Sequence, residues 1–133
     1  MEKGNLNFDE IIEYWENSSD MDFNTMMNLY KSKDYHWSLF IGHLVLEKLL
    51  KALFVRKKKR QPLFTHDLLR LAKKTGINIT NEQADMLDTI TTFNINARYD
   101  DYKQDFYKLC TKKFTEIWIE KIKELRKWIK EQL

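Results

Sequence analysis

Through most of this chain apolar residues return every three or four positions, the spacing of one face of an α-helix. The first stripe reads Ile12, Trp15, Ser19, Phe23, Met26 and Tyr30. Asn7 precedes it and Glu10 lies three residues on, the spacing of a capping box, so a helix is predicted to start near Phe8. Residues 17–20, NSSD, are poor helix material where a bend or break is possible, but the stripe carries across them and favours one element. A second helix is predicted from Lys33 or Asp34 to about Lys57. It carries two stripes side by side: Leu39, His43, Leu46, Leu50 and Leu53, then Phe40, Leu44, Glu47, Lys51 and Phe54. A helix apolar on two sides is either the centre of a bundle or also an oligomer interface. At this length it spans roughly 37 Å.

The basic run RKKKR and Pro62 end that helix, since cations suit a helix C-terminus and proline resists continuation. Thr65 is expected to cap a short helix, HDLLRLAKKTG, which stops at Gly76. INIT reads as a loop. Thr80 or Asn81 caps the next helix, with Ala84, Leu87, Ile90 and Thr91 or Phe93 facing inward. The stretch FNINARYDDYKQDFY, residues 93–107, is expected to turn the chain. The last helix is predicted from about Asp105 to about Lys130, with Leu109, Phe114, Ile117, Trp118, Lys121, Ile122, Leu125, Trp128 and Ile129 mostly on one side. No repeat, low-complexity tract or boundary interrupts the pattern. The expected architecture is a single all-α domain over residues 1–133, an up-and-down antiparallel bundle of four to five helices.

Composition narrows the chemistry. The chain has 43% hydrophobic and 32% charged residues, which suits a folded soluble protein, and only 3 Gly and 1 Pro, which suits long elements. A net charge of +3 is too mild to argue for nucleic acid alone. One cysteine, Cys110, excludes an internal disulfide and reads as a small buried hydrophobe. The N-terminal MEKGNLNFDEII has no secretory pattern, and the most apolar tract, residues 39–55, is too short and too charged to span a bilayer. A cytoplasmic protein without membrane attachment is expected.

His36 and His43 stand seven residues apart, too far to share one metal, and no zinc-type spacing exists, so no metal and no cofactor are expected. No Gly-rich phosphate loop and no Ser-His-Asp arrangement is visible. His43, Glu47 and Lys51 form an i, i+4, i+8 series on the most apolar helix. That is either a ligand-facing polar strip or an ion ladder covered by a neighbouring helix or a twin subunit. Residues 56–60 are either a phosphate-binding patch or a solvated helix end.

Several tracts together resemble the HEPN domain (higher eukaryotes and prokaryotes nucleotide-binding). Tyr35, Ser38, Phe40, His43, Glu47, Lys48, Leu50, Lys51, Ala52 and Leu53 resemble its central helix. Trp15, Ser19, Asp22 and Phe23 resemble its first helix. THDLLRL, residues 65–71, resembles its Thr-His-x-Leu segment, and ARYDDY, residues 97–102, resembles its Ala-Arg-Tyr-Pro-x-Tyr turn with Asp100 in place of proline. The resemblance implies a helical bundle that pairs into a homodimer. It implies one of two activities. One is an interaction and nucleotide-binding module acting with a minimal nucleotidyltransferase partner, in a toxin–antitoxin-like system. The other is a metal-independent ribonuclease toxin in which Arg98 is catalytic.

Family ribonucleases place a histidine beyond such an arginine, after four to six intervening residues. Here the corresponding residues are Lys103, Gln104 and Asp105. Arginine stabilises a developing oxyanion but is a poor base, so a histidine from elsewhere, His43 or His66, would have to serve. In the non-enzymatic reading Arg98 pairs with Asp100, Asp101 or Glu47 and pins the turn, while Tyr99, Tyr102 and Tyr107 pack with their hydroxyls reaching solvent or a ligand. His43, Glu47, Lys51, Arg98, Tyr99 and Tyr102 are then the candidate ligand-binding residues for a nucleotide or RNA.

Overall fold

The computed structural model describes residues 7–133; residues 1–6, the start of the tract read as lacking a secretory pattern, lie outside the described residues. α1 (Phe8–Lys31) starts where the cap predicts: the Asn7 side chain accepts from the Glu10 N–H at 3.1 Å. The Glu10 carboxylate accepts from the Asn7 side-chain amide at 2.6 Å, not from its backbone. The helix runs unbroken through residues 17–20. The reason is tertiary. Ser19 is sealed against α2 (Tyr35–Lys58), and its hydroxyl donates to the Val45 carbonyl at 2.8 Å. Ser38 of α2 donates in the opposite direction, to the Met26 carbonyl of α1, also at 2.8 Å. These small residues let the two helices approach closely, and packing overrides weak local propensity.

α2 is the central element. It contacts α1 and all four helices that follow it, so both of its apolar stripes are covered within one chain. Leu39, Val45, Leu46, Leu49, Leu50 and Leu53 are fully buried along it. It ends at Lys59, which takes the left-handed conformation at φ 56 and bonds back to the Val55 carbonyl.

α3 (Leu68–Thr75) starts later than expected. Asp67, not Thr65, is the cap and accepts from the Arg70 N–H at 3.1 Å; Thr65 accepts from the Asp67 N–H in the turn before it. An ionised oxygen is the stronger acceptor for a free helical N–H. Gly76 ends α3 at φ 83, the left-handed role foreseen for it. α4 (Asn81–Arg98) opens on a complete capping box between Thr80 and Gln83. Leu87, Ile90 and Phe93 face the core as expected, joined by Met86, Asn94 and Ala97.

The largest departure follows. Residues 93–107 do not form a turn. α4 continues to Arg98, Tyr99 alone changes direction, and α5 (Asp100–Leu109) begins at once. Asp100 and Asp101 sit in its first turn, where the helix dipole favours acids. The expected last helix is therefore split at Cys110 and Thr111. Thr111 caps α6 (Lys112–Gln132) by accepting from the Phe114 N–H at 3.2 Å. That break resets the helical phase. Leu109 and Ile117, expected inside, are exposed; Thr115 and Ile119 are buried with Ile122, Leu125 and Ile129. Six helices form the bundle rather than four or five, with no strand among the described residues. Phe93 holds α4, α5 and α6 together, with ring centroids 5.4 Å from Phe106 and 5.6 Å from Trp118. No helix of the described residues is long and apolar enough to cross a membrane.

Candidate functional site

The polar series on α2 turns inward, toward α4 and the connector before α3. His43 is fully buried, Glu47 and Lys51 nearly so. Glu47 joins two partners: its Oε2 accepts from Lys51 Nζ at 2.9 Å, and its Oε1 accepts from His66 Nδ1 at 2.8 Å. Lys51 also lies 5.0 Å from the centroid of the Trp15 ring of α1. His43 Nε2 lies 2.8 Å from the His66 carbonyl. A carbonyl only accepts, so Nε2 carries the proton and Nδ1 is left bare. The amide nitrogen of Asn94 faces that bare Nδ1 at 3.5 Å. The Asn94 side-chain oxygen in turn accepts from Arg98 Nη2 at 2.5 Å, and its main-chain carbonyl accepts from Arg98 Nε at 3.1 Å. A directional chain thus runs from Arg98 through Asn94 and His43 to the backbone of His66, whose ring is anchored by Glu47, itself held by Lys51.

The two ends of this chain reach solvent. Arg98 is exposed, and the His66 side chain is 60% exposed. The Arg98 guanidinium lies over two rings, 5.3 Å from the Tyr99 centroid and 6.0 Å from Phe40. It does not pair with Asp100, Asp101 or Glu47, as the sequence suggested. The helix places Asn94 one turn beneath it, and Tyr99 turns the acids onto the next helix. Tyr99 and Tyr102 are each 53% exposed, and Tyr107 is exposed and meets the His36 ring edge to face. One turn further along the same α2 face, Lys103 Nζ sits 5.0 Å from the Trp37 centroid. Arg98 and Lys103 are therefore seated on the neighbouring rings Phe40 and Trp37, which meet edge to face at 5.8 Å.

Asn94 was absent from the sequence reading. Its one signal was position, four residues before Arg98 on one helix. The Glu47–His66 pairing spans α2 and a connector and left no local trace.

Burial sets the charge states. It pushes the His43 imidazole below its usual value, and the His66 carbonyl and the Glu47 charge offset only part of this. Burial alone would raise the Glu47 carboxyl. The hydrogen bonds from His66 and Lys51, with the charge of Lys51, outweigh it and hold Glu47 below the usual range. His36, buried and near Lys103, is also pushed down. In each case the unfolded chain binds protons that the folded one refuses. Stability is thus full above the unfolded value and is lost as pH falls. For His43 and His36 that loss starts near 6.5, and for Glu47 below 4.5. Urea unfolding between pH 7.5 and 5 is expected to show falling stability, with a slope approaching about 1.4 kcal/mol per pH unit for each proton taken up. A flat profile over that range would contradict the buried neutral histidine.

Elsewhere the residues are quieter. Residues 56–60 are exposed at the end of α2, apart from the buried ring beneath them: Arg60 lies over Phe54 at 5.6 Å. Cys110 is buried, and burial pushes its thiol up to about 12, far from a nucleophile's range. Among the described residues no three His, Cys, Asp or Glu side chains stand together as a metal cage.

Comparison with known proteins places this geometry. No curated protein matches the chain. Among solved structures, the crystal structure of TT1696 from Thermus thermophilus superposes with a TM-score of 0.79 at 16% identity, covering 92% of this chain and 98% of that one. At that identity the likeness establishes the fold. The model of the HEPN domain matches residues 12–132, from the second turn of α1 to the end of α6. The chain therefore belongs to the HEPN domain family.

Proposed function

We propose that this chain is a HEPN-type interaction and nucleotide-binding module, a homodimer that acts with a minimal nucleotidyltransferase partner in a toxin–antitoxin-like pair. The observation that carries the nucleotide part is the state of Arg98. It is exposed, yet two of its nitrogens are held by Asn94 and its face rests on Tyr99 and Phe40. A guanidinium fixed in this way keeps its remaining donors for a ligand, and phosphate matches its fork. Exposed Tyr99 beside it offers a face on which a base can stack. Exposed Phe64, Ile95 and Tyr102 add apolar area of the kind that protein contacts use. The nucleotidyltransferase rests on family membership. The cytoplasm is the compartment this reading assigns.

Binding of a labelled single-stranded RNA at low salt tests the reading. Arg98→Ala is expected to cost about 1.5–3 kcal/mol, roughly ten- to a hundredfold in affinity. Equal affinity in both proteins would remove Arg98 from the site. Light scattering at tens of micromolar is expected to give twice the 16.2 kDa chain mass; a monomer would count against the homodimer.

A specific observation favours a second reading, a ribonuclease. Glu47 holds the proton of His66 on Nδ1, so in the neutral ring the lone pair of Nε2 is free, on a side chain that solvent reaches. That is the arrangement of a general base oriented by a carboxylate. His66 would take the 2′-hydroxyl proton, the 2′-oxygen would attack phosphorus as the bond to the 5′-oxygen breaks, and Arg98 would stabilise the charge that develops; the products are a 2′,3′-cyclic phosphate and a 5′-hydroxyl that takes its proton from water. The same RNA, incubated with the protein, separates the readings: cleavage lost in both His66→Ala and Arg98→Ala supports the enzyme, and intact RNA supports the module.

A further inference from the structure

The chain from Arg98 to His66 has a direction, and one proton at its centre sets it. In the neutral His43 ring Nε2 donates to the His66 carbonyl at 2.8 Å, and the bare Nδ1 faces the Asn94 amide nitrogen at 3.5 Å. The Asn94 side-chain oxygen therefore points the other way, where it accepts from Arg98 Nη2 at 2.5 Å. Each link leaves the next one choice. A bare ring nitrogen only accepts, so the amide turns its NH₂ to His43, and its oxygen falls to Arg98.

A second proton on His43 reverses that choice. Nδ1 becomes a donor and meets the NH₂ of Asn94, donor against donor. Both side chains are buried, so water does not relieve the clash. Nε2 offers no relief either, since it already donates to the His66 carbonyl. Glu47 Oε1 is the other acceptor near Nδ1, but at 3.8 Å it is beyond hydrogen-bond reach and is engaged by the His66 ring at 2.8 Å. Turning the Asn94 amide end for end gives Nδ1 its acceptor. The same turn presents NH₂ to the Arg98 guanidinium, which has only donors, so the bond from Nη2 is lost. Arg98 keeps the bond from Nε to the Asn94 main-chain carbonyl, at 3.1 Å, and loses the one that fixes its fork.

The charges around His43 come from three directions. Glu47, on α2, favours the second proton and is itself tied to Lys51. His66, in the connector, and Arg98, on α4, oppose it. Burial opposes it most, so the proton enters only below the usual 6.5. Once there it also repels Arg98 directly.

We infer that His43 is a proton-sensitive positioning residue: neutral, it fixes Arg98 for an anion through Asn94, and protonated, it turns the Asn94 amide and releases the guanidinium. This deepens the reading of Arg98 as an anion-binding group, on which it rests, by giving that site a regulator.

The test is a pH titration of the ¹⁵N-labelled protein by NMR, from pH 7.5 to 5. It follows the His43 ring, the Asn94 side-chain NH₂ and the Arg98 Nε–H, with the backbone amides of α2 reporting that the fold persists. The Asn94 and Arg98 signals are expected to shift with the midpoint of His43, not with those of His36 or His66. Asn94→Asp supplies an acceptor on both sides and needs no turn, so its Arg98 signal should no longer follow His43. RNA affinity is measured alongside, in wild type and Arg98→Ala. Their ratio, roughly ten- to a hundredfold at pH 7.5, should shrink below the His43 midpoint. Both proteins carry the same other titrating groups, so the ratio isolates Arg98. Asn94 and Arg98 signals that stay still while His43 takes up its proton would overturn the switch. So would a His43 ring that stays neutral until the α2 amides report unfolding. Either result, with RNA affinity still lost in Arg98→Ala at pH 7.5, would leave the anion reading standing. Equal RNA affinity of the two proteins at pH 7.5 would overturn that reading, and the regulator with it, whatever the titration shows.

Discussion

Glu47→Ala is expected to destabilise the protein by about 3–5 kcal/mol, the cost of breaking a buried ion pair by removing one partner. The Glu47 side chain is 6% exposed and its partner Lys51 9%. Without the carboxylate, Lys51 keeps its charge in the interior with only the Trp15 face beside it. His66 loses its anchor too, but that ring is largely solvated and loses less. The mechanism makes a further demand. Replacing both residues, as Glu47→Leu with Lys51→Met, removes the stranded charge and should recover most of the lost stability. Chemical denaturation of the three proteins checks it. A single variant within about 1 kcal/mol of wild type, or a double variant as weak as the single, would show that the pair is not buried as described.

Gly42→Leu is the second large effect. A Cβ built on Gly42 would lie 2.5 Å from the Ile122 Cδ1 of α6 and 3.1 Å from the Met26 Sδ of α1, and both side chains are sealed in the core. A single methyl displaces only the flexible end of Ile122, and the better helix propensity of alanine offsets it by about 1 kcal/mol. Gly42→Ala is therefore expected to be nearly neutral. Leucine adds a branched group where three helices already meet. Overpacking of that kind costs typically about 1–3 kcal/mol, and the upper end is expected here. A Gly42→Leu protein with an unchanged unfolding midpoint would mean that α6 does not press on α2 at this point.

Much of this was legible because periodicity and caps are local. Asn7, Thr80 and Gly76 sit where their chemistry requires them, and the double stripe of α2 marked it as central. Two things were not. The pivot at Tyr99 carries no glycine or proline, so residues 93–107 looked like one irregular turn; nothing local announces a one-residue change of direction between two helices. The break at Cys110 was hidden because apolar residues continue across it, and only the phase of Ile119 and Ile122 reveals the shift. At the site, His43, Glu47 and Lys51 were visible as a series on one helix. Their partners were not, because the His66 connector and Asn94 meet them through the fold, from 19 and 51 positions away along the chain. The aromatic seats of Arg98 and Lys103 depend equally on how α2 lies beneath α4 and α5.

The central claim is that the buried polar chain holds Arg98 in place for an anion. A double-mutant cycle on RNA affinity tests it most directly, with Asn94→Ala and Arg98→Ala made singly and together. The account predicts that Asn94→Ala weakens binding when Arg98 is present and has almost no effect when Arg98 is already gone. Equal losses in the two backgrounds, or no loss in either, would contradict it.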